Sequence, residues 1–83
     1  MKNIVFIQHA LERLEERGIS AEMVEEVIRD QNNAGYGDKG RQIAQKLIDK
    51  KLLRVIYDEE DYRFVVISAY VTSKVEKYLR WKR

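Results

Sequence analysis

The 83-residue chain has no cysteine, no proline and one histidine. Without cysteine there is no disulfide and no thiolate metal site, so nothing ties the chain to an oxidising compartment. One histidine leaves too few ligands for a protein-only zinc site. A Gly-rich phosphate loop, paired metal-ligand spacing and a Ser-His-Asp set are all missing. There is also no internal repeat, low-complexity tract or domain linker. The apolar start, Ile4-Val5-Phe6-Ile7, is too short to cross a membrane and no small-residue cleavage site follows it, so the expected location is cytoplasmic.

What is present suits one small domain spanning residues 1–83. Hydrophobic residues make up 45% of the chain, which places it among folded rather than disordered proteins. At this length about 60% of the chain's surface can be buried, enough for one modest core and little room for a deep pocket. Such a chain often works with a partner. The net charge is +2, but residues 1–32 carry −3 and residues 33–83 carry +5. Lys74, Lys77, Arg80, Lys82 and Arg83 crowd the C-terminal end against Glu76 alone. This patch suits phosphate backbones or an acidic partner, and on charge alone it equally suits a solvated tail.

Helical spacing from about His9 to Arg17 puts Ala10, Leu11 and Leu14 on one side. His9, Arg13 and Arg17 form a second row, climbing toward the edge of that stripe. Gly18 fits a left-handed C-terminal position. Ser20 is a natural N-cap for a second helix, Ala21 to about Asp30, whose Met23, Val24, Val27 and Ile28 share one arc. Residues 31–40, with three glycines and two asparagines, predict a loop. Residues 41–49 read as strand or helix, with strand preferred. Residues 52–57 and 62–71 are β-like, the latter apolar on both faces as in a covered central strand. Asp58-Glu59-Glu60-Asp61 reads as the hairpin turn between them. Residues 3–7 suit a short strand or an extended lead-in. Ser73-Lys74-Val75-Glu76 has capping-box spacing for a short basic C-terminal helix. The expected fold is α+β: two N-terminal helices on an antiparallel sheet of three to four strands.

The polar inventory is one imidazole, several Arg and Lys, and tyrosines and serines on strands. That inventory suits metal-free RNA cleavage. The 2′-hydroxyl attacks, so the protein need only move protons and stabilise charge on the phosphate. Tyr and Trp can stack on unpaired bases. Each candidate also has a plainer role. His9 can cap or fill a helix edge. Arg13 and Arg17 can pair with surface glutamates, which is common and worth little. Arg54 interrupts Leu52-Leu53-Arg54-Val55-Ile56, and a charge there must reach water or a partner. Ser68 can satisfy a neighbour or point into a cleft. Tyr70, Tyr78 and Trp81 can simply pack. Alternation adds a condition: a four-residue loop at 58–61 puts Arg54 on the face opposite Ser68 and Tyr70. One cleft holding all three requires an odd loop or a bulge.

His9-Ala10-x-x-Arg13-Leu14-x-x-Arg17-Gly18-Ile19-Ser20, followed by Leu53-Arg54-Val55-Ile56-Tyr57 and Val66-Ile67-Ser68-Ala69-Tyr70, resembles the domain-of-unknown-function 4258 family. That family is grouped with compact ribonuclease toxins of the barnase, EndoU, colicin and RelE type. Val-Ile-Ser-Ala-Tyr and Gly-Ile-Ser also resemble BrnT toxins. The resemblance spans nearly the whole chain and implies that residues 41–49 form a strand. It implies a metal-independent endoribonuclease toxin without cofactors, and a cognate antitoxin-like partner. By the same resemblance His9, Arg13, Arg54, Ser68 and Tyr70 are the catalytic candidates. Lys46, Lys74, Arg17 and Tyr78 are candidate RNA contacts. Many relatives carry Thr where this chain has Ser68, which keeps the hydroxyl. The alternatives are an inert RNA- or protein-binding module of the same fold and a homodimer that buries its tyrosine-rich surface. No membrane association is expected.

Overall fold

Gly18 and Ser20 separate two helices within three residues. The computed structural model, which describes residues 2–30, 34–36 and 41–79, places α1 at Gln8–Arg17 and α2 at Ala21–Arg29. Gly18 takes φ 65°, and the amides of Gly18 and Ile19 bond back to the Glu15 and Leu14 carbonyls, closing α1. The Ser20 hydroxyl accepts from the Met23 amide at 3.1 Å and opens α2. The start of α1 follows Ile7 and has no side-chain cap.

The strands are β1 (Asn3–Phe6), β2 (Ala34–Tyr36), β3 (Gln42–Ile48), β4 (Lys51–Glu59) and β5 (Arg63–Thr72), followed by the short helix α3 (Val75–Leu79). The expected α+β class is the one found, with both N-terminal helices on one face of the sheet. The sheet itself differs from expectation. Among the described residues it has five strands in the order β1-β5-β4-β3-β2, and β1 runs parallel to β5. Residues 3–6 are therefore an edge strand, because their β-branched and aromatic side chains find β5 beside them. β2 falls inside the predicted loop. Its three residues pair with β3 through backbone bonds that need no apolar alternation. Asp49 and Lys50, with φ 49° and 68°, form the two-residue turn between β3 and β4.

Two further boundaries differ. Glu59 pairs with Phe64, so the next turn is Glu60–Arg63 rather than 58–61. It is held by the Glu60 amide on the Arg63 carbonyl at 2.8 Å and by an Arg63–Glu60 ion pair. Before α3 it is the Thr72 hydroxyl, not Ser73, that accepts a backbone N–H, from Lys74 at 3.1 Å.

The core lies between the helices and one sheet face. Ala10 and Leu14 of α1 and Val24, Val27 and Ile28 of α2 pack on Ala44, Leu53, Val55, Tyr57, Val66 and Ala69. Each fully buried Leu, Ile or Val contributes about 1.5–3 kcal/mol. Ala44, Val55 and Ala69 lie in one cross-strand row, and the two alanines let the helices approach closely. Ile4, Phe6 and Phe64 close one end, where Tyr57 and Phe64 meet edge to face at 5.5 Å. Arg17 donates to the Ala69 carbonyl at 2.8 Å, in the stretch of β5 that β1 does not cover. Among the described residues no helix is long and apolar enough to cross a membrane.

Candidate functional site

The second sheet face, away from α1 and α2, carries the polar cluster. Gln45, Arg54 and Tyr70 face one another across β3, β4 and β5. Ile43, Ile56 and Ser68 form the adjacent row. What aligns them is one register break. Tyr57 pairs with Val66 but Ile56 pairs with Ser68, so Ile67 is an extra residue in β5. A bulge of this kind reverses which face the rest of the strand presents. The condition for a shared cleft is met: Arg54, Ser68 and Tyr70 point from the same side.

Arg54 is only 6% exposed. Its Nε donates to Gln45 Oε1 at 3.0 Å and its Nη1 to Tyr70 Oη at 2.6 Å. The Tyr78 ring of α3 stacks on the guanidinium, 3.8 Å from ring centre to guanidinium carbon. The Tyr70 ring centre is 5.8 Å away. All three partners, Gln45, Tyr70 and Tyr78, are neutral groups. Among the described residues no carboxylate pairs with Arg54; the ion pairs join Lys2, His9, Arg13, Arg41, Lys46 and Arg63 to acids elsewhere. Gln45 is 3% exposed, and its Nε2 has no hydrogen-bond partner.

Tyr70 and Tyr78 both lie against Arg54, and their acidities move apart. Burial raises the Tyr70 pKa above its ordinary 10.0, and the Arg54 bond opposes this. The bond from Tyr70 lowers the Tyr78 pKa, helped by the charges of Lys77, Arg54 and Lys74. Arg54 donates to Tyr70, and Tyr78 is left the more acidic phenol. A buried cation with only neutral partners, edged by two phenols, has the chemistry to bind an anion.

The other sequence candidates lie elsewhere. His9, whose side chain is 60% exposed, stands at the start of α1 with Glu12 at 3.9 Å. Arg13 pairs with Glu16 at 3.0 Å. α1 packs on the Val66 and Ala69 face, so the His9 and Arg13 row belongs to the helix side of the sheet and does not touch Arg54, Ser68 or Tyr70. Lys46 is also on the helix side, bonded to Glu26 of α2 at 3.0 Å. Arg17 binds backbone. Lys74 and Lys77 flank Tyr78, with Lys77 Nζ 5.3 Å from its ring centre. Arg80, Trp81, Lys82 and Arg83 lie outside the described residues. Gln45 was not singled out from sequence. The signal was available, because Ile43-Ala44-Gln45 puts a polar residue in an apolar strand just as Arg54 does. Among the described residues no group of three His, Asp or Glu side chains gathers where it could hold a metal.

Fold and site together define a small α+β domain with a cationic, tyrosine-edged face on its sheet. Residues 6–71 match the family described as Domain of unknown function (DUF4258), and the chain belongs to it. The match takes in Gln45, Arg54, Ser68 and Tyr70, while Tyr78 lies beyond it. No curated protein and no solved structure matches the chain.

Proposed function

We propose that the protein is a metal-independent endoribonuclease of the toxin–antitoxin kind, similar to the RelE and BrnT toxins it resembles, and that it acts through the Arg54 cluster. The observation that carries this reading is a buried guanidinium held only by neutral groups. In the reaction the substrate's 2′-hydroxyl gives its proton to water as it attacks the adjacent 3′-phosphorus, and water later returns a proton to Tyr78. The P–O5′ bond breaks, giving a 2′,3′-cyclic phosphate and a 5′-hydroxyl. Arg54 stabilises the charge that builds on the phosphoryl oxygens. Tyr78, the more acidic phenol, protonates the departing 5′-oxygen, and Tyr70 and Ser68 hold the substrate. His9 and Arg13 stand too far round the fold to share this chemistry, and their role is contact with a longer RNA. A cytoplasmic setting and a small antitoxin-like partner belong to the same reading.

The test is cleavage of single-stranded RNA by the purified protein with chelator present. Wild type should cut, Arg54→Ala and Tyr78→Phe should lose most of the rate, and His9→Ala should retain it. Equal background from wild type and Arg54→Ala removes the enzyme reading. The second reading, an RNA-binding module that does not cleave, is favoured by the 6% exposure of Arg54 beneath Tyr78. Salt-dependent binding that needs Arg54, without product, would establish it.

A further inference from the structure

Gln45 is the least explained polar group in the molecule. It is 3% exposed, sits in the middle of a strand, and has one end satisfied and the other not. Its orientation is fixed, because Arg54 Nε–H needs an acceptor and only Oε1 is one. Turning the amide over would set donor against donor, so the orphan must be the Nε2 donor. A partner meant only to hold Arg54 would be glutamate. It has the same length, would neutralise the charge, and would carry no surplus N–H. Glutamine instead leaves the guanidinium charge uncompensated and adds a donor beside it. Nη2 of Arg54 also has no partner among the described residues. One buried donor beside a guanidinium that has an N–H to spare is what a phosphate group recognises.

We infer that Gln45 is the second binding residue of the phosphate site, its Nε2 and the free part of the Arg54 guanidinium taking two oxygens of one RNA phosphate. The inference rests on the Arg54 reading above and names its missing donor. Access follows from the cover. Tyr78 lies on the guanidinium, and α3, which carries it, makes few contacts with any other element among the described residues. Binding therefore slides the Tyr78 ring off the guanidinium face, its hydroxyl staying at the edge of the site, and the phosphate takes the place of the ring beside Arg54.

The test is an NMR titration of the isotope-labelled full chain at constant ionic strength, with inorganic phosphate and then with a short oligouridine RNA. The Gln45 side-chain amide and the Arg54 Nε–H should both shift and saturate together. Gln45→Met, which loses the donor without changing charge, should weaken binding roughly tenfold or more, the factor that one hydrogen bond to a charged group is worth. Gln45→Glu should abolish binding while unfolding later than wild type. Tyr78→Ala should bind phosphate more tightly. If Arg54→Gln loses binding but Gln45→Met keeps wild-type affinity and the Gln45 amide does not shift, a bound water satisfies Gln45. The inference then fails and the Arg54 reading stands. If Arg54→Gln also binds RNA as wild type does, both fall.

Discussion

Replacing Arg54 and Gln45 together by methionine should make the protein more stable and deprive it of RNA binding. The magnitudes come from the cluster itself. Arg54 makes two hydrogen bonds, at 2.6 and 3.0 Å, and one ring contact at 3.8 Å. Bonds from a charged donor contribute about 1.5–3 kcal/mol each, and a desolvated cation–ring contact about 2 kcal/mol. Against these stands the loss of water from a guanidinium that is 6% exposed and lacks a counter-charge among the described residues, a cost of several kcal/mol. The unpartnered Gln45 Nε2 adds about 1–3 kcal/mol of further cost. Arg54→Met alone removes the charge but leaves both ends of Gln45 buried without partners, so it should lose about 1–3 kcal/mol. The double variant removes every unsatisfied group and adds apolar contact. It should exceed wild type by about 1–3 kcal/mol, the usual gain when a buried ionic group gives way to well-packed apolar side chains. In urea, with a slope near 1 kcal/mol per molar for a domain of this size, the midpoint should rise by about 1 M or more. RNA binding should be lost in both variants. A double variant less stable than wild type would refute the reasoning, since the buried Arg54–Gln45 pair would then be a net stabiliser of the fold.

Three other outcomes follow from local geometry. Gly18→Ala should cost about 1 kcal/mol in urea unfolding, because φ is +65° while nothing lies within 4 Å of the added Cβ, so the effect is backbone strain alone. Burial, with Glu59 assisting, raises the Tyr57 pKa above 10.0. A raised folded value means stability that is full below the unfolded pKa of about 10 and is lost as pH climbs through the folded one. Thermal midpoints should therefore fall at strongly alkaline pH, and Tyr57→Phe should flatten that fall. The bond from Tyr70 is the main cause of the lowered Tyr78 pKa. Tyr70→Phe should therefore shift the Tyr78 phenolate titration, followed by NMR, toward higher pH.

The helical hairpin could be read from a few residues. Gly18 and Ser20 carry their roles in their backbone and side-chain chemistry, and both occupy the positions expected of them. Residues 41–49 read as strand or helix, and what makes 42–48 a strand is the tight turn at Asp49 and Lys50 that folds β4 back along it. β2 could not be read, because a three-residue strand in a Gly- and Asn-rich stretch is made by backbone pairing, which side-chain periodicity does not report. The face shared by Arg54, Ser68 and Tyr70 could be posed only as a condition. Nothing in Val65-Val66-Ile67 marks which residue is the extra one, since any of the three can bulge. The His9 row was visible as a helical spacing. Its side of the sheet was not, because that depends on where Ala10 and Leu14 settle. Arg54 declared itself by interrupting an apolar run, while Gln45 escaped notice because an uncharged residue in a strand draws less attention than a charged one.

The parallel pairing of β1 with β5 has a consequence during synthesis. Asn3 meets Arg63, sixty residues later in the chain. Closing so long a loop carries a large entropic cost, and contacts of this range form late. As the chain leaves the ribosome, α1, α2 and the β3–β4 hairpin can assemble from neighbours in sequence. β1 must wait for β5, the last strand to emerge. The same strand supplies Ser68 and Tyr70, and α3 with Tyr78 follows it. The first strand made therefore finds its place together with the last, and the Arg54 face has no complete form in any shorter nascent fragment.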